Sequence, residues 1–230
     1  MTRIKQPTRK RLALRSLGLA AVLLLLANYV FGIGLLLPIQ AIRQAEESAG
    51  IGRTDLVTWI REPDIGKTMR VYMAANENAV MLAPVYLSVC GWRDGGGLSL
   101  DCSGQAPFYV GWRKLTWQDT DSVYYVFGRV DQPDITRLHV GLVDTFQGGE
   151  TGEEQVERLG VDTEKASWLE REGTWYFLLR IPDSDLPFFW VGRDDPFSVD
   201  ITAYDQLGQQ VAHVERIADT ASSVYGIRFP

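Results

Sequence analysis

The sequence predicts an all-β extracytoplasmic domain preceded by one N-terminal transmembrane α-helix. Two observations support this fold class. The first is a run of 21 residues from Leu17 to Leu37 that is interrupted by one strongly polar residue, Asn28. The second is the pattern beyond residue 58, where short apolar and β-branched runs are each stopped by Gly, Pro or Asp. A chain of 230 residues accommodates one ordinary domain together with such a segment.

Charge divides the chain sharply. No Asp or Glu precedes Glu46, and six cations lie within the first 16 positions: Arg3, Lys5, Arg9, Lys10, Arg11 and Arg15. All 29 acidic residues lie at or after Glu46, whereas seven of the 23 lysines and arginines precede it. The chain from Glu46 onward therefore carries a net charge of about −13. An acidic domain repels phosphate, which argues against nucleic acid as a partner.

The apolar run has the length of a membrane span. A helix over residues 17–37 extends about 30 Å, which matches the hydrocarbon core of a bilayer. Pro38 cannot continue the helical hydrogen bonds and marks an exit. The excess of cations before the run predicts a cytoplasmic tail over residues 1–16 and an extracytoplasmic location for everything after Pro38. Residues 38–58 have mixed polarity and are predicted to form a stalk.

A cleaved signal peptide is the main alternative to a permanent anchor, because it has the same charge polarity. Its apolar region is usually about 7 to 15 residues long, shorter than this one. Ala41 and Ala45 supply the small residues that a cleavage site needs, so both possibilities stay open.

The extracytoplasmic part is predicted to be a β-sandwich over residues 59–216, followed by a C-terminal tail over 217–230. A division into two β subunits near 59–120 and 121–216 is a further possibility. A helix is considered between Glu153 and Leu159, or around Thr163 to Glu170. The predicted strands are Thr68–Ala75, Val80–Cys90, Phe108–Leu115, Val123–Val130, Arg137–Val143, Thr174–Ile181, Ser198–Tyr204 and Gln210–Glu215.

Three segments carry a resemblance to a known family. They are FGRVDQPDITRLHVGL at Phe127–Leu142, WYFLLRIP at Trp175–Pro182 and VDITAYDQLGQQVA at Val199–Ala212. Their strand and turn spacing, over about residues 122–215, resembles bacterial immunoglobulin-like domains of uncharacterised membrane-anchored proteins. The resemblance implies a structural or binding role and supplies no catalytic residues. The Cys…Trp…Cys signature of antibody domains is not found.

Cys90 and Cys102 are the two cysteines of the chain, and the glycine-rich segment GWRDGGGLSLD separates them. If this segment is a hairpin in an extracytoplasmic domain, a disulfide between its two ends is expected. The alternative is two separate thiols, each packed as a small hydrophobic side chain.

Motifs for catalysis are scarce. Two histidines, His139 and His213, fall in separate predicted strands, and no Gly-x-Ser-x-Gly elbow or phosphate-binding loop occurs. Acid pairs on predicted loops offer weak calcium candidates at Asp183, Asp185, Asp194 and Asp195, because calcium prefers clustered oxygen ligands. No cofactor is predicted.

The sequence therefore favours a single-pass, membrane-anchored binding or structural module of the cell envelope without enzymatic activity. The bilayer is an expected partner, through residues 17–37. A further partner in the envelope or among membrane proteins is of unknown identity. Two alternatives stay open: an envelope-acting hydrolase, and an accessory subunit of a membrane complex. A large pocket with convergent polar groups and perturbed pKa values would favour the hydrolase.

Overall fold

A computed structural model describes residues 9–31, 35, 37–63, 66–88, 91–115, 123–148, 152–182, 197–217 and 225–226. The helices are α1 (Arg9–Phe31) and α2 (Pro38–Ala49), and a 3-10 turn covers Thr163–Lys165. The strands of this described part are β1 (Asp55–Arg61), β2 (Arg70–Ala75), β3 (Ala79–Ser88), β4 (Gly91–Asp94), β5 (Leu98–Asp101), β6 (Phe108–Leu115), β7 (Val123–Val130), β8 (Arg137–Gly148), β9 (Gly152–Asp162), β10 (Ser167–Arg171), β11 (Thr174–Pro182), β12 (Phe197–Tyr204), β13 (Gln210–Ile217) and β14 (Tyr225–Gly226).

The all-β prediction for the domain is confirmed. Each of the eight predicted strands is present, and β6 and β7 have the predicted ends. The two suggested helices are not found: residues 153–159 lie in β9, and 163–170 form the 3-10 turn followed by β10. β9 lies at the edge of its sheet, where a strand tolerates the acidic, polar sequence that suggested a helix.

The strands form three antiparallel sheets. Sheet A has the order β1-β2-β3, and both β4 and β5 pair with the far side of β3. Sheet B has the order β10-β11-β7-β6-β14, and sheet C has the order β13-β12-β8-β9. The fold is therefore a stack of layers: α2 covers sheet A, sheet A covers sheet B, and sheet B covers sheet C.

Sheet B is buried on both faces. Along β7, the side chains of Tyr124, Val126 and Val130 join the core shared with sheet C. The alternate side chains of Val123, Tyr125 and Phe127 join the core shared with sheet A. A strand buried on both sides needs an almost continuous apolar sequence, and VYYVFGRV has one.

Two glycines allow this close packing inside sheet B. A Cβ on Gly128 would collide with the carbonyl oxygen of Tyr109 and would lie 2.7 Å from the ring of Phe177, its cross-strand partner. A Cβ on Gly111 would lie 2.8 Å from the ring of Phe127. The aromatic rings thus lie over the glycines, which fills the space that a side chain would otherwise occupy.

Residues 38–58, predicted as a stalk, instead form α2 and the start of β1. Ala41, Ile42 and Ala45 are buried against the outer face of sheet A. The buried carboxylate of Glu46 accepts hydrogen bonds from Arg43 and from the backbone and hydroxyl of Thr54. Burial alone would raise the pKa of Glu46, but these hydrogen bonds lower it below its ordinary value. The amphipathic helix therefore belongs to the domain.

The apolar N-terminal segment forms α1 up to Phe31, with residues 32–34 and 36 outside the described part. Within the part of the chain that is described, no helix combines the length and the apolarity that crossing a membrane requires. Leu35 lies inside the predicted span but exchanges backbone hydrogen bonds with Trp92 of β4, at 3.1 and 2.8 Å. The folded domain therefore begins before residue 37.

The suggested division near residue 120 does not match the sheets. β6 and β7 lie on either side of that position and are neighbours in sheet B. The chain passes from sheet A to sheet B between β5 and β6 instead, and these two sheets share one core. Residues 218–224 and 227–230 of the predicted tail lie outside the described residues, and Tyr225–Gly226 pair with β6.

We predict that Gly128→Ala lowers the free energy of unfolding by about 3 kcal/mol or more, because the added methyl meets backbone and cannot be relieved by a rotamer change. Urea unfolding of the full chain in detergent, followed by circular dichroism, measures this loss. Gly104→Ala is the control, since its Cβ would make an ordinary contact of 3.5 Å. Equal stability of the two variants would contradict the packing of sheet B.

Candidate functional site

A cleft of about 410 Å³ opens where one end of sheet A meets sheet B. The end of β2 and the β2–β3 turn form one wall, through Ala75, Asn76 and Glu77. The β10–β11 hairpin and β7 form the other wall, through Arg171, Glu172, Thr174, Tyr176 and Arg129, and Asp55 of β1 joins them. We call this site the distal cleft, because it lies at the end of β2 opposite the Leu35–Trp92 bridge.

The two arginines of the distal cleft are already held by neighbours. Arg171 contacts the carboxylate of Asp55 at 3.0 Å, and Arg129 contacts Asp131 at 2.5 Å and donates to the carbonyl of Glu77 at 2.6 Å. Burial raises the pKa of the Tyr176 phenol, although the charge of Arg129 opposes the shift. Burial would lower the pKa of Arg129, but the hydrogen bond and charge of Asp131 raise it. Both groups therefore keep their ordinary protonation state at neutral pH.

The rim of the cleft contains an unusual backbone conformation. Arg171 pairs with Thr174, so Glu172 and Gly173 form a two-residue turn in which both have positive φ, at 54° and 81°. This is the geometry of a type I′ hairpin, which favours Asn or Gly. Glu172 is the one non-glycine residue with positive φ among the described positions. The turn directs a charged residue over the cleft at a cost in backbone energy.

A second polar cluster lies between sheets A and B, with Glu62 and Tyr125 buried and Arg180 partly exposed. Glu62, which follows β1, is completely buried and accepts hydrogen bonds from the guanidinium of Arg180 at 2.7 to 3.1 Å and from the hydroxyl of Tyr125. Burial first, and then the hydrogen bond to Glu62, raise the pKa of Tyr125. With both carboxylate oxygens occupied, this cluster joins two layers of the fold.

The two histidines lie closer together than their sequence positions suggest. His139 and His213 flank Thr202 in one row across β8, β12 and β13. Nδ1 of His139 lies 3.2 Å from Asp162, whereas Nδ1 of His213 lies 3.2 Å from Thr202 and 3.3 Å from Asp200. Each imidazole has its own carboxylate, so the row does not converge on one point.

The calcium candidates Asp183, Asp185, Asp194 and Asp195 lie outside the described residues. Among the described ones, no group of three or more His, Cys, Asp or Glu side chains is placed to hold a metal ion. The calcium site therefore stays a prediction.

The structure does not support the predicted Cys90–Cys102 bond. The segment between the cysteines is not a hairpin, because β4 and β5 both run along β3 in the same direction. Gly91 pairs with Ser88 and Asp101 with Ala79, and these partners lie nine residues apart, or about 30 Å. Disulfide-bonded Cα atoms lie within about 7 Å. Cys102 is a free, buried thiol, and Cys90 lies outside the described residues.

The sequence matches no protein-family model, and neither a curated protein nor a solved structure is significantly similar to it. The site must therefore be argued from its own residues. Sequence reasoning did not single out Arg129, Arg171 or Glu172. A cation in the apolar strand VYYVFGRV was a signal for Arg129, and Gly173 between two apolar runs was a signal for the hairpin.

We predict that the denatured, non-reduced protein takes up two iodoacetamide groups, as measured by its intact mass. In the native protein Cys102 stays unmodified, because burial raises the pKa of its thiol to about 12. A reduced sample is the control. Two groups after reduction but none before it would restore the disulfide and refute the path of β4 and β5.

We also predict that Arg180→Met costs about 3–5 kcal/mol of unfolding free energy, because it leaves the Glu62 carboxylate buried without its cation. Adding Glu62→Gln recovers part of this loss, since the uncompensated charge is then removed. Urea unfolding in detergent measures both variants. Arg137→Met is the matched control and costs less than about 1 kcal/mol, because its pair with Glu164 is solvent-exposed. A double variant as unstable as the sum of both changes would contradict the coupling.

Proposed function

We propose that this protein is a single-pass membrane protein whose immunoglobulin-like sandwich is held outside the cytoplasm and binds an envelope component through the distal cleft, without catalysis. The single observation that carries the proposal is the surface of α1. Eight of its large apolar side chains, between Leu12 and Leu26, are each more than half exposed, and the charges flanking it are cations.

The exposure of α1 extends around the whole helix. The consecutive residues Val22, Leu23 and Leu24 are 53%, 58% and 71% exposed, although successive helical positions point about 100° apart. A helix that is apolar all round requires an apolar environment on every side. A lipid bilayer supplies it, and the proposed span lies in α1, before the Leu35–Trp92 bridge at which the folded domain begins. The cations of residues 3–15 favour a cytoplasmic N-terminus.

Strand order supports an immunoglobulin-like sandwich over β6–β13. With these strands lettered in chain order as A, B, C, C′, D, E, F and G, sheet B has the order D-E-B-A and sheet C has the order G-F-C-C′. Immunoglobulin domains pack an A-B-E-D sheet on a C-F-G sheet, and a C′ strand extends the second sheet in variable-type domains. Sheet A and α2 would then be an additional layer on the A-B-E-D face.

The distal cleft supports binding over acid–base catalysis. The raised pKa of Arg129 keeps this residue charged at physiological pH, and the raised pKa of Tyr176 keeps its phenol neutral. A general acid or base needs a pKa near the working pH. Polar groups contributed by two sheets, at the end of the domain away from α1, suit recognition of a polar partner.

The experiment that tests the proposal is labelling with a membrane-impermeant maleimide in a Cys90→Ser background. Leu207→Cys, on the highly exposed β12–β13 turn, should react in intact cells. The matched variant Lys10→Cys, at the start of α1, should react only after lysis, because its side of the membrane is cytoplasmic.

Each other result has a definite meaning. Labelling of neither cysteine before lysis would refute the extracytoplasmic location, and labelling of Lys10→Cys alone would reverse the orientation. Loss of an N-terminal epitope from a protein that still labels at Leu207→Cys would identify a cleaved signal peptide and refute the anchor.

A further inference from the structure

We propose that the lower end of sheet A rests on the phospholipid head groups of the membrane that holds α1. The surface consists of Trp59, Arg61, Lys67, Arg70, Leu87 and Trp92, and we call it the basal surface. This inference rests on the proposed membrane anchor and adds a second, peripheral contact between the domain and the bilayer.

The basal surface combines aromatic, aliphatic and cationic side chains on one face. Arg61 pairs directly with Arg70, Trp59 with Tyr72, and Leu87 with Trp92, and residues opposed in antiparallel strands share a face. Trp59 and Leu87 are 49% and 44% exposed, although a bulky apolar side chain on a sheet face is normally covered. α2 covers the neighbouring part of this face, beside Tyr72, Ala83 and Val85.

Arg70 is held between two indole rings. Its guanidinium carbon lies 5.3 Å from the ring centroid of Trp59 and 4.8 Å from that of Trp92. The ring of Trp59 also stacks on Tyr72, with centroids 6.2 Å apart. One guanidinium nitrogen of Arg70 donates to the hydroxyl of Tyr72 at 3.4 Å. Stacking fixes the planar group and leaves its other edge N–H donors available to an anion such as phosphate. Trp and Arg together are typical of the membrane–water interface, where an apolar ring and a polar group are both accommodated.

Position identifies the bilayer as the occupant. The backbone bridge from Leu35 to Trp92 ties the basal surface to the apolar segment, four residues after the end of α1. Charge supports the same occupant. Arg61, Lys67 and Arg70 cluster here, in a portion of the chain whose net charge is about −13. An acidic domain next to anionic lipid needs such a local cationic end to approach the surface.

The full-length protein in lipid nanodiscs provides the test. The discs contain phosphatidylcholine and phosphatidylglycerol brominated on acyl carbons near the head group, and the signal is quenching of tryptophan fluorescence. We expect the double variant Trp59→Phe/Trp92→Phe to lose most of the quenched fraction. The control Trp168→Phe, which packs against the core between sheets B and C, should leave the quenched fraction unchanged.

A matched pair of charge reversals tests the role of the cations. Lys67→Glu, in an otherwise wild-type chain, should reduce the quenching of Trp59 and Trp92, because it places an anion against lipid phosphate. Lys165→Glu, in the exposed 3-10 turn beside sheet C, should not. Circular dichroism verifies that each variant is folded.

The possible failures are distinguishable. If the wild-type chain does not incorporate into nanodiscs, the proposed anchor itself is wrong. Alternatively, the wild-type chain incorporates while the Trp59→Phe/Trp92→Phe variant shows the same quenched fraction as the wild type, or Lys67→Glu shows the same quenching as Lys165→Glu. In either case the basal surface does not rest on the bilayer, and only this inference is overturned.

Discussion

The fold depends on the burial of both faces of sheet B. β7 places Tyr124 and Val126 on one side and Tyr125 and Phe127 on the other, so neither face can be left to water. Sheet C covers the first face and sheet A the second, which makes each outer sheet a requirement for the central one. The glycines at 111 and 128 let aromatic rings lie close against the central strands.

Glu62 also links the end of β1 to β7 and β11, through Tyr125 and Arg180. A buried carboxylate requires such partners, because an unpaired buried charge is strongly destabilising. Sheet A is therefore an integral layer.

This layered arrangement gives the domain two different ends. α2 runs from the Leu35–Trp92 bridge towards Thr54, where Glu46 fixes its last turns, and β1 then returns in the opposite direction. The distal cleft and the basal surface therefore lie at opposite ends of β2. This strand has six residues, so the two sites are about 20 Å apart. A rigid helix packed on a sheet transmits the position of the membrane segment to the domain better than a flexible stalk would. Under the proposed anchoring, the cleft points away from the bilayer.

Much of the fold could be predicted from the sequence because the interior strands carry strong local signals. β6 and β7 combine apolar and β-branched runs with clear turn residues, and their ends were predicted correctly.

The errors fell where tertiary contacts override the local pattern. α2 begins at Pro38, which the sequence predicts as the exit of a membrane helix but which equally suits the first turn of a new one. Gly95–Gly97 suggested a hairpin tip, yet they lie between β4 and β5, which both pair with β3, so the hairpin on which the predicted disulfide rested is not found. The distal cleft could not be predicted, since Asp55, Arg129 and Arg171 meet only after three strands from two sheets assemble.

The cations at the two ends of the domain have different kinds of neighbours. At the distal end the two arginines are each matched by a carboxylate, Asp55 or Asp131, and Arg129 also donates to the Glu77 carbonyl. At the basal end Arg70 is instead held by π-systems, which orient a cation without neutralising it. An acidic domain that is repelled by an anionic surface everywhere except at this end would adopt one orientation on the membrane. The same charge distribution would thus keep the proposed recognition site exposed on the side away from the membrane.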